Sequence, residues 1–236
     1  MSGIEIEAKC EGKTTSIKCI RPKWEDIFRG YPKKKKNEND GGEGDKEYTD
    51  EVPSIVLYFL FGEDYKIPDA CAARLSIALL SSGININIYG DNKITIKEKD
   101  VITTETIVLE KITNGKILKG GKNPEEKWFE IALANNLNEK NVILTAERMR
   151  HWLWKKWGKA DYIVYNPKSL ADLQKEFKGK TGVYIMRPIW PGKMPNGEPG
   201  FMASGHCTLW TGEDVIGNNY TNAKGGAFAA YLWELK

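Results

Sequence analysis

Histidine is scarce in this chain: His151 and His206 are the only two among 236 residues. A mechanism that needs an imidazole therefore has two candidates. Cysteine is nearly as sparse, with Cys10, Cys19, Cys71 and Cys207. Cys10 and Cys19 lack the C-x2-C type of spacing that holds zinc, and a disulfide between them would require an oxidising compartment. Long apolar runs are absent. The longest, Ile55 to Phe61, is far shorter than the ~20 residues that span a bilayer, so no membrane insertion is expected. Charge of one sign is missing too. The balance of 35 basic and 32 acidic side chains leaves a formal +3, whereas a dedicated nucleic-acid binder carries a stronger basic excess. Met1 to Glu7 contain neither a basic n-region nor an apolar h-region, so no Sec-type signal peptide is expected.

What is present suffices for a core. Hydrophobic residues make up 41% and charged residues 28%, the composition of an ordinary globular protein. We read residues 1–236 as a single domain. Residues 1–20 alternate weakly and hold one or two strands. Arg21 to Gly30 reads as a short helix with Pro22 in its first turn and Trp24, Ile27 and Phe28 on one face. Lys33 to Asp50 is low in complexity and poor in apolar residues, and is expected as a mobile loop at 33–50. Its lysine run is followed at once by acidic residues with no interleaved aromatic, which argues for a solvated loop over a nucleic-acid patch.

Ile55 to Phe61 has the pattern of a buried strand. Pro68 to Gly83 is a well-signalled helix, with Asp69 as N-cap, alanines and leucines inside, and Gly83 beyond the end. From Ile84 to Ile112 the period changes to two, which predicts a β meander within a β-rich insertion at 84–121. Asn123 and Pro124 open another helix. Thr145 to Trp157 and Ser169 to Phe177 follow as helices. The last third predicts strands at Gly182–Arg187, His206–Trp210, Val215–Tyr220 and Phe228–Leu235, with an irregular loop from Ile189 to Gly200.

Cys71 falls in the first turn of its helix. Backbone N–H groups there lack intrahelical partners, and the helix dipole adds partial positive charge. Both favour thiolate over thiol, and the same N–H groups can hold an oxyanion. The competing reading is a small core residue. A nucleophilic cysteine needs a base, usually a histidine held by an Asp or Asn. His206 begins a strand, where its ring can reach a cleft. His151 lies mid-helix among tryptophans and reads as surface or structural. A hairpin centred between Gly212 and Glu213 sets Asn219 opposite His206. A turn one residue different gives Asn218, and Asp214 lies nearer in sequence.

Three blocks together resemble a known family. Arg21-Pro22-Lys23-Trp24-Glu25-Asp26-Ile27-Phe28-Arg29-Gly30-Tyr31-Pro32 is similar to an opening "RPxFxxLWxxYP" segment. Ala70-Cys71-Ala72-Ala73-Arg74-Leu75-Ser76-Ile77-Ala78-Leu79 resembles a "NACAxRxSxALxxxG" helix. Gly205-His206-Cys207-Thr208-Leu209-Trp210-Thr211-Gly212 resembles a "GHxxLWxG" strand. The family is that of type VI secretion amidase effectors, family four, which are NlpC-type papain-like peptidoglycan hydrolases. The resemblance implies an α+β, papain-like NlpC-type fold: a helical part carrying the nucleophile, packed on an antiparallel sheet carrying the histidine. It implies Cys71 as nucleophile and His206 as base, acting on the D-glutamate–meso-diaminopimelate amide of the stem peptide without metal or cofactor. Its third residue is an Asp about eleven past the histidine. Here that position is Gly217, and we take the neighbouring Asn218 over Asn219 and Asp214.

The partners so implied are the peptidoglycan stem peptide, the type VI secretion apparatus and a cognate immunity protein, with no nucleic acid. The site of action would be the recipient's periplasm. Two other readings fit the residues less fully: a non-catalytic cell-wall binding or toxin-delivery module, and a papain-like acyltransferase or protease.

Overall fold

The computed structural model describes residues 3–10, 13–35, 48–49, 70–86, 93–95, 107–108, 129–131 and 141–236, with side chains over 21–33, 71–86 and 142–236. In chain order the elements are β1 (Gly3–Cys10), β2 (Lys13–Ile20), α1 (Trp24–Gly30), β3 (Lys33–Lys35), β4 (Tyr48–Thr49), α2 (Ala70–Ser81), β5 (Lys93–Thr95), β6 (Ile107–Val108), β7 (Phe129–Ile131), β8 (Asn141–Ile143), α3 (Ala146–Trp157), β9 (Tyr162–Tyr165), α4 (Leu170–Phe177), β10 (Gly182–Pro188), β11 (His206–Trp210) and β12 (Ala227–Glu234).

The site is organised by a four-stranded antiparallel sheet of order β11-β10-β12-β9. Side chains alternate across it, as the strand pleat requires. Val183, Ile185, Cys207, Leu209, Ala229, Tyr231 and Trp233 join one core with residues of α1, α2 and α3. Tyr184, Met186, Trp210, Ala230 and Leu232 join a second core with Leu173 and Phe177 of α4. Helices therefore cover both faces. This explains why β10 is buried along most of its length. The arrangement is the expected α+β one, a helix bearing Cys71 against an antiparallel sheet whose edge strand starts at His206.

Local chemistry explains the helices. α2 ends in a Schellman motif: Ile84 N–H donates to Leu79 O (2.9 Å) and Gly83 N–H to Leu80 O (3.0 Å), with Gly83 at φ 83°, a conformation open to glycine. Within α2, buried Ser76 donates to Ala72 O (2.8 Å) and accepts from Ile143 N–H (2.9 Å), tying β8 to the helix. Thr145 caps α3 by accepting from Arg148 N–H, and Ser169 caps α4 by accepting from Asp172 N–H.

Arg21 fastens α1 to the far end of the chain. It is buried, pairs with Asp161, and donates to Glu234 O and Trp157 O, each at 3.1 Å. Trp24 N–H donates to Lys236 O (3.1 Å) beside it. We expect Arg21→Ala to cost about 3 kcal/mol, because two carbonyls and a carboxylate lose their donor. Urea unfolding of the variant measures it.

Several expectations are corrected. The first helix starts at Trp24, not Arg21, since a residue before proline avoids the helical region and Lys23 is extended. Of the stretch 33–50, expected as loop, the described residues form β3 and β4, which pair with each other while β3 also pairs with β7; residues 36–47 and 50 lie outside the described residues. Backbone pairing makes little demand on side chains, and Lys33 is anchored by donating to Phe28 O (2.6 Å). Of the stretch 84–121, expected as a β meander, the described strands are β5, which pairs with β8, and β6, which pairs with β7; the rest of that meander lies outside the described residues. Val215–Tyr220 is not a strand. A single bridge joins Trp210 and Val215, after which Gly217 (φ 81°) and Tyr220 (φ 54°) leave the extended region. β9 is not among the expected strands.

β1 and β2 form a hairpin in which Cys10 faces Lys13 and Cys19 faces Ile4. Cys10 and Cys19 are thus six positions apart along the ladder, about 20 Å, beyond the ~7 Å Cα limit of a disulfide. The strand expected at Ile55–Phe61, the cap Asp69 and the helix opening at Asn123 lie outside the described residues.

Candidate active site

Cys71 is the second residue of α2, where the backbone N–H groups have no intrahelical acceptor. α2 packs along β11, and this brings Cys71 to the first two residues of that strand. Its side chain hydrogen-bonds Cys207 and His206. Only 7% of Cys71 is exposed, and Cys207 is fully buried.

These contacts hold the Cys71 thiol well below its ordinary pKa. The hydrogen bond with the Cys207 side chain is the largest cause. Burial opposes it, while the hydrogen bond from His206, the charge of His206 and the Cys207 backbone N–H all lower it further. Cys207 is a member of the site that the sequence reading did not single out, although it stands beside His206 in the third block. We expect Cys207→Ala to move the pH midpoint of Cys71 alkylation upward, read from iodoacetamide rates between pH 4 and 9 with peptide mapping.

His206 is held by its neighbour. Gly205 has φ 150°, and a Cβ there would sit 2.5 Å from Met186 O, the carbonyl of His206's cross-strand partner. Only glycine lets the chain start β11 so close to β10. His206 is 5% exposed, and its imidazole meets the Tyr220 ring edge to face, with centroids 4.7 Å apart at 63°. Phe201 backs Tyr220 at 5.3 Å and 73°.

Of the three candidates for the third position, Asn218 and Asn219 lie in the turn that carries Tyr220, and Asp214 closes the turn before Val215. Asn218 is exposed, and its Oδ1 accepts from Tyr220 N–H (3.0 Å). Asn219 donates to Asp214 Oδ1 (3.3 Å) and accepts from Thr221 N–H (3.1 Å) and Oγ1 (2.9 Å). Its carbonyl accepts from Tyr184 Oη (2.7 Å). Burial and the Asp214 charge push the Tyr184 hydroxyl upward, so it remains a donor. Asp214 Oδ1 also accepts from Val215 N–H (2.7 Å). The side chains of Asn218 and Asn219 thus bond the turn itself. The pairing from Trp210 to Val215 follows the register that sets residue 219 opposite 206, but the turn diverts both carboxamides into local bonds.

His151 is placed elsewhere. Its side chain is 57% exposed on α3, beside Glu147 Oε1 (3.4 Å) and Arg150 Nη2 (2.7 Å). Among the described residues no cluster of three or more His, Cys, Asp or Glu is placed to hold a metal ion, and no helix is long and apolar enough to cross a membrane. The geometry presents a polarised thiol, an adjacent imidazole and a helix N-terminus. Chemically it is suited to nucleophilic attack on an acyl carbon.

A family model described as type VI secretion system (T6SS), amidase effector protein 4, matches residues 67–233. Among solved structures, the crystal structure of the type VI effector Tae4 from Enterobacter cloacae is similar at a TM-score of 0.50 and 19% identity, over 92% of this chain and 98% of that one. The type VI effector–immunity complex Tae4–Tai4 from Enterobacter cloacae gives 0.41 and 21%, over 71% and 75%. The effector Tae4 from Salmonella typhimurium in complex with the immunity Tai4 from Enterobacter cloacae gives 0.45 and 19%, over 92% and 100%. No curated protein matches. The likeness to the free Enterobacter effector is one of fold, and the papain-like NlpC-type architecture implied by the sequence resemblance agrees with it.

Proposed function

The chain belongs to the type VI secretion amidase effector protein 4 family, and on that premise we propose that it cleaves peptidoglycan stem peptides at the D-glutamate–meso-diaminopimelate amide by cysteine catalysis. The observation that carries the reading is the meeting of Cys71 and His206 at the start of α2, with the thiol held low. In the proposed mechanism His206 takes the Cys71 proton and the thiolate attacks the amide carbonyl. Free N–H groups at the start of α2 hold the oxyanion. His206 returns the proton to the departing amine of the third stem residue. Water, deprotonated by His206, then hydrolyses the thioester and regenerates the thiol. No step calls for a metal or cofactor. Asn218 serves in the turn behind His206.

A wall hydrolase of this kind is dangerous to its producer. The reading therefore includes a cognate immunity protein that covers the cleft, and delivery by the type VI apparatus into the recipient's periplasm. The test is incubation with purified peptidoglycan and mass spectrometry of the products. A new free amino group on the third stem residue is the expected result. Muropeptides left intact would refute the reading, and retention on the wall without cleavage would favour a binding module.

A further inference from the structure

We propose that Tyr220 is a positioning residue that holds the His206 imidazole toward Cys71, and that Asn218 acts through it. The inference rests on His206 being the base. It starts from an outlier. Tyr220 has φ 54°, a left-handed conformation unfavourable for a bulky L-residue. Such a backbone persists only where its surroundings enforce it, and four contacts do so here. Asn218 Oδ1 accepts the Tyr220 N–H at 3.0 Å. One residue back, Tyr184 of β10 donates to Asn219 O at 2.7 Å, fixing the turn to the sheet. Asn219 then braces the turn from both sides through Asp214 and Thr221.

The outcome of this bracing is a ring placed against the imidazole at 4.7 Å. Phe201 closes the far side, and Phe201 N–H is tied to Trp190 O at 3.0 Å. The imidazole is therefore walled by edge-to-face aromatic rings on one side, while it reaches Cys71 on another. An aromatic ring suits this place for two reasons. It restricts rotation of the imidazole by contact, and its π system tolerates the imidazolium formed when the thiol proton arrives. The residue eleven past His206, where the resembling family carries an Asp, is Gly217, with no side chain to orient anything. The turn that follows it supplies the aromatic wall.

The test compares Tyr220→Leu, Tyr220→Phe, Asn218→Ala and His206→Ala on a soluble stem-peptide substrate, with the Cys71 alkylation rate as a second readout. Tyr220→Leu should lower kcat roughly 10- to 100-fold with KM within about threefold of wild type, since a mispointed base slows chemistry and leaves substrate contacts alone. Tyr220→Phe should rescue most of that loss. Asn218→Ala should show the same kcat signature at smaller size. A full kcat in Tyr220→Leu, or a rise in KM alone, overturns the inference. The underlying assignment fails separately: His206→Ala at wild-type rate would remove the base itself, whereas an inactive His206→Ala beside a fully active Tyr220→Leu removes only the positioning role. If Tyr220→Leu fails to fold, Asn218→Ala with unchanged kcat and alkylation rate overturns the inference.

Discussion

Cys71→Ala is expected to abolish amide cleavage, to about 10⁴-fold or more below wild type, as removal of a covalent nucleophile does. The fold should survive. Cysteine and alanine differ by one sulfur, and the neighbouring Ala72 and Ala73 are fully buried in the same core, so the helix and its packing tolerate a methyl group. Product analysis by mass spectrometry checks the first expectation, and circular dichroism with thermal melting the second. Full activity in the variant would sink the assignment.

The depressed thiol adds a pH signature to the same variant. An acid whose folded pKa is lowered stabilises the protein fully above its unfolded value, about 8.5 for cysteine, and loses that contribution as pH falls through the folded value. The wild type should therefore gain stability over Cys71→Ala as pH rises from the acid range toward about 8.5, and no more above it. A gap that is flat with pH would show that Cys71 titrates as an ordinary thiol.

His206→Ala is expected to cost about 10³-fold in kcat or more, because general base and general acid are lost together. It should also raise the Cys71 pKa, since one of its hydrogen bonds and the nearby charge disappear. The acid limb of the rate profile would then move to higher pH. His151→Ala is the matched control. That ring lies beside Glu147 and Arg150 on an exposed face of α3, so its loss should change the rate by less than about twofold. The reverse pattern, with His151 essential and His206 dispensable, would refute the choice of base. Peptidoglycan digestion across pH 4 to 9 measures both variants.

Much of the site was legible because its chemistry is local. A cysteine placed just after a helix start acquires free N–H groups from the helix itself, whatever lies around it. The end of α2 and the starts of α3 and α4 were read well for the same reason: Gly83, Thr145 and Ser169 act on backbone groups within a few residues. The steric need for Gly205, by contrast, comes from a carbonyl on the neighbouring strand, that of Met186. Contacts between distant segments were not legible. Cys207 looked like an ordinary strand residue until α2 was packed against β11. The turn after Val215 defeated a period-two reading, because Asn218 and Asn219 take up neighbouring N–H groups with their own carboxamides, in competition with a ladder. β5 and β6 chose partners outside their own stretch, which alternation cannot reveal.

By itself, then, the amino-acid sequence determined α2, α3, α4, β10, β11 and β12, and the two segments that carry a thiol and an imidazole, since these follow from side-chain type and spacing along the chain. Tertiary structure alone decided that the thiol meets two residues of β11, and that an aromatic ring in a left-handed backbone stands against His206. Those outcomes depend on which faces pack together and at what distance, and hydrogen bonds and ring contacts act only over a few ångströms.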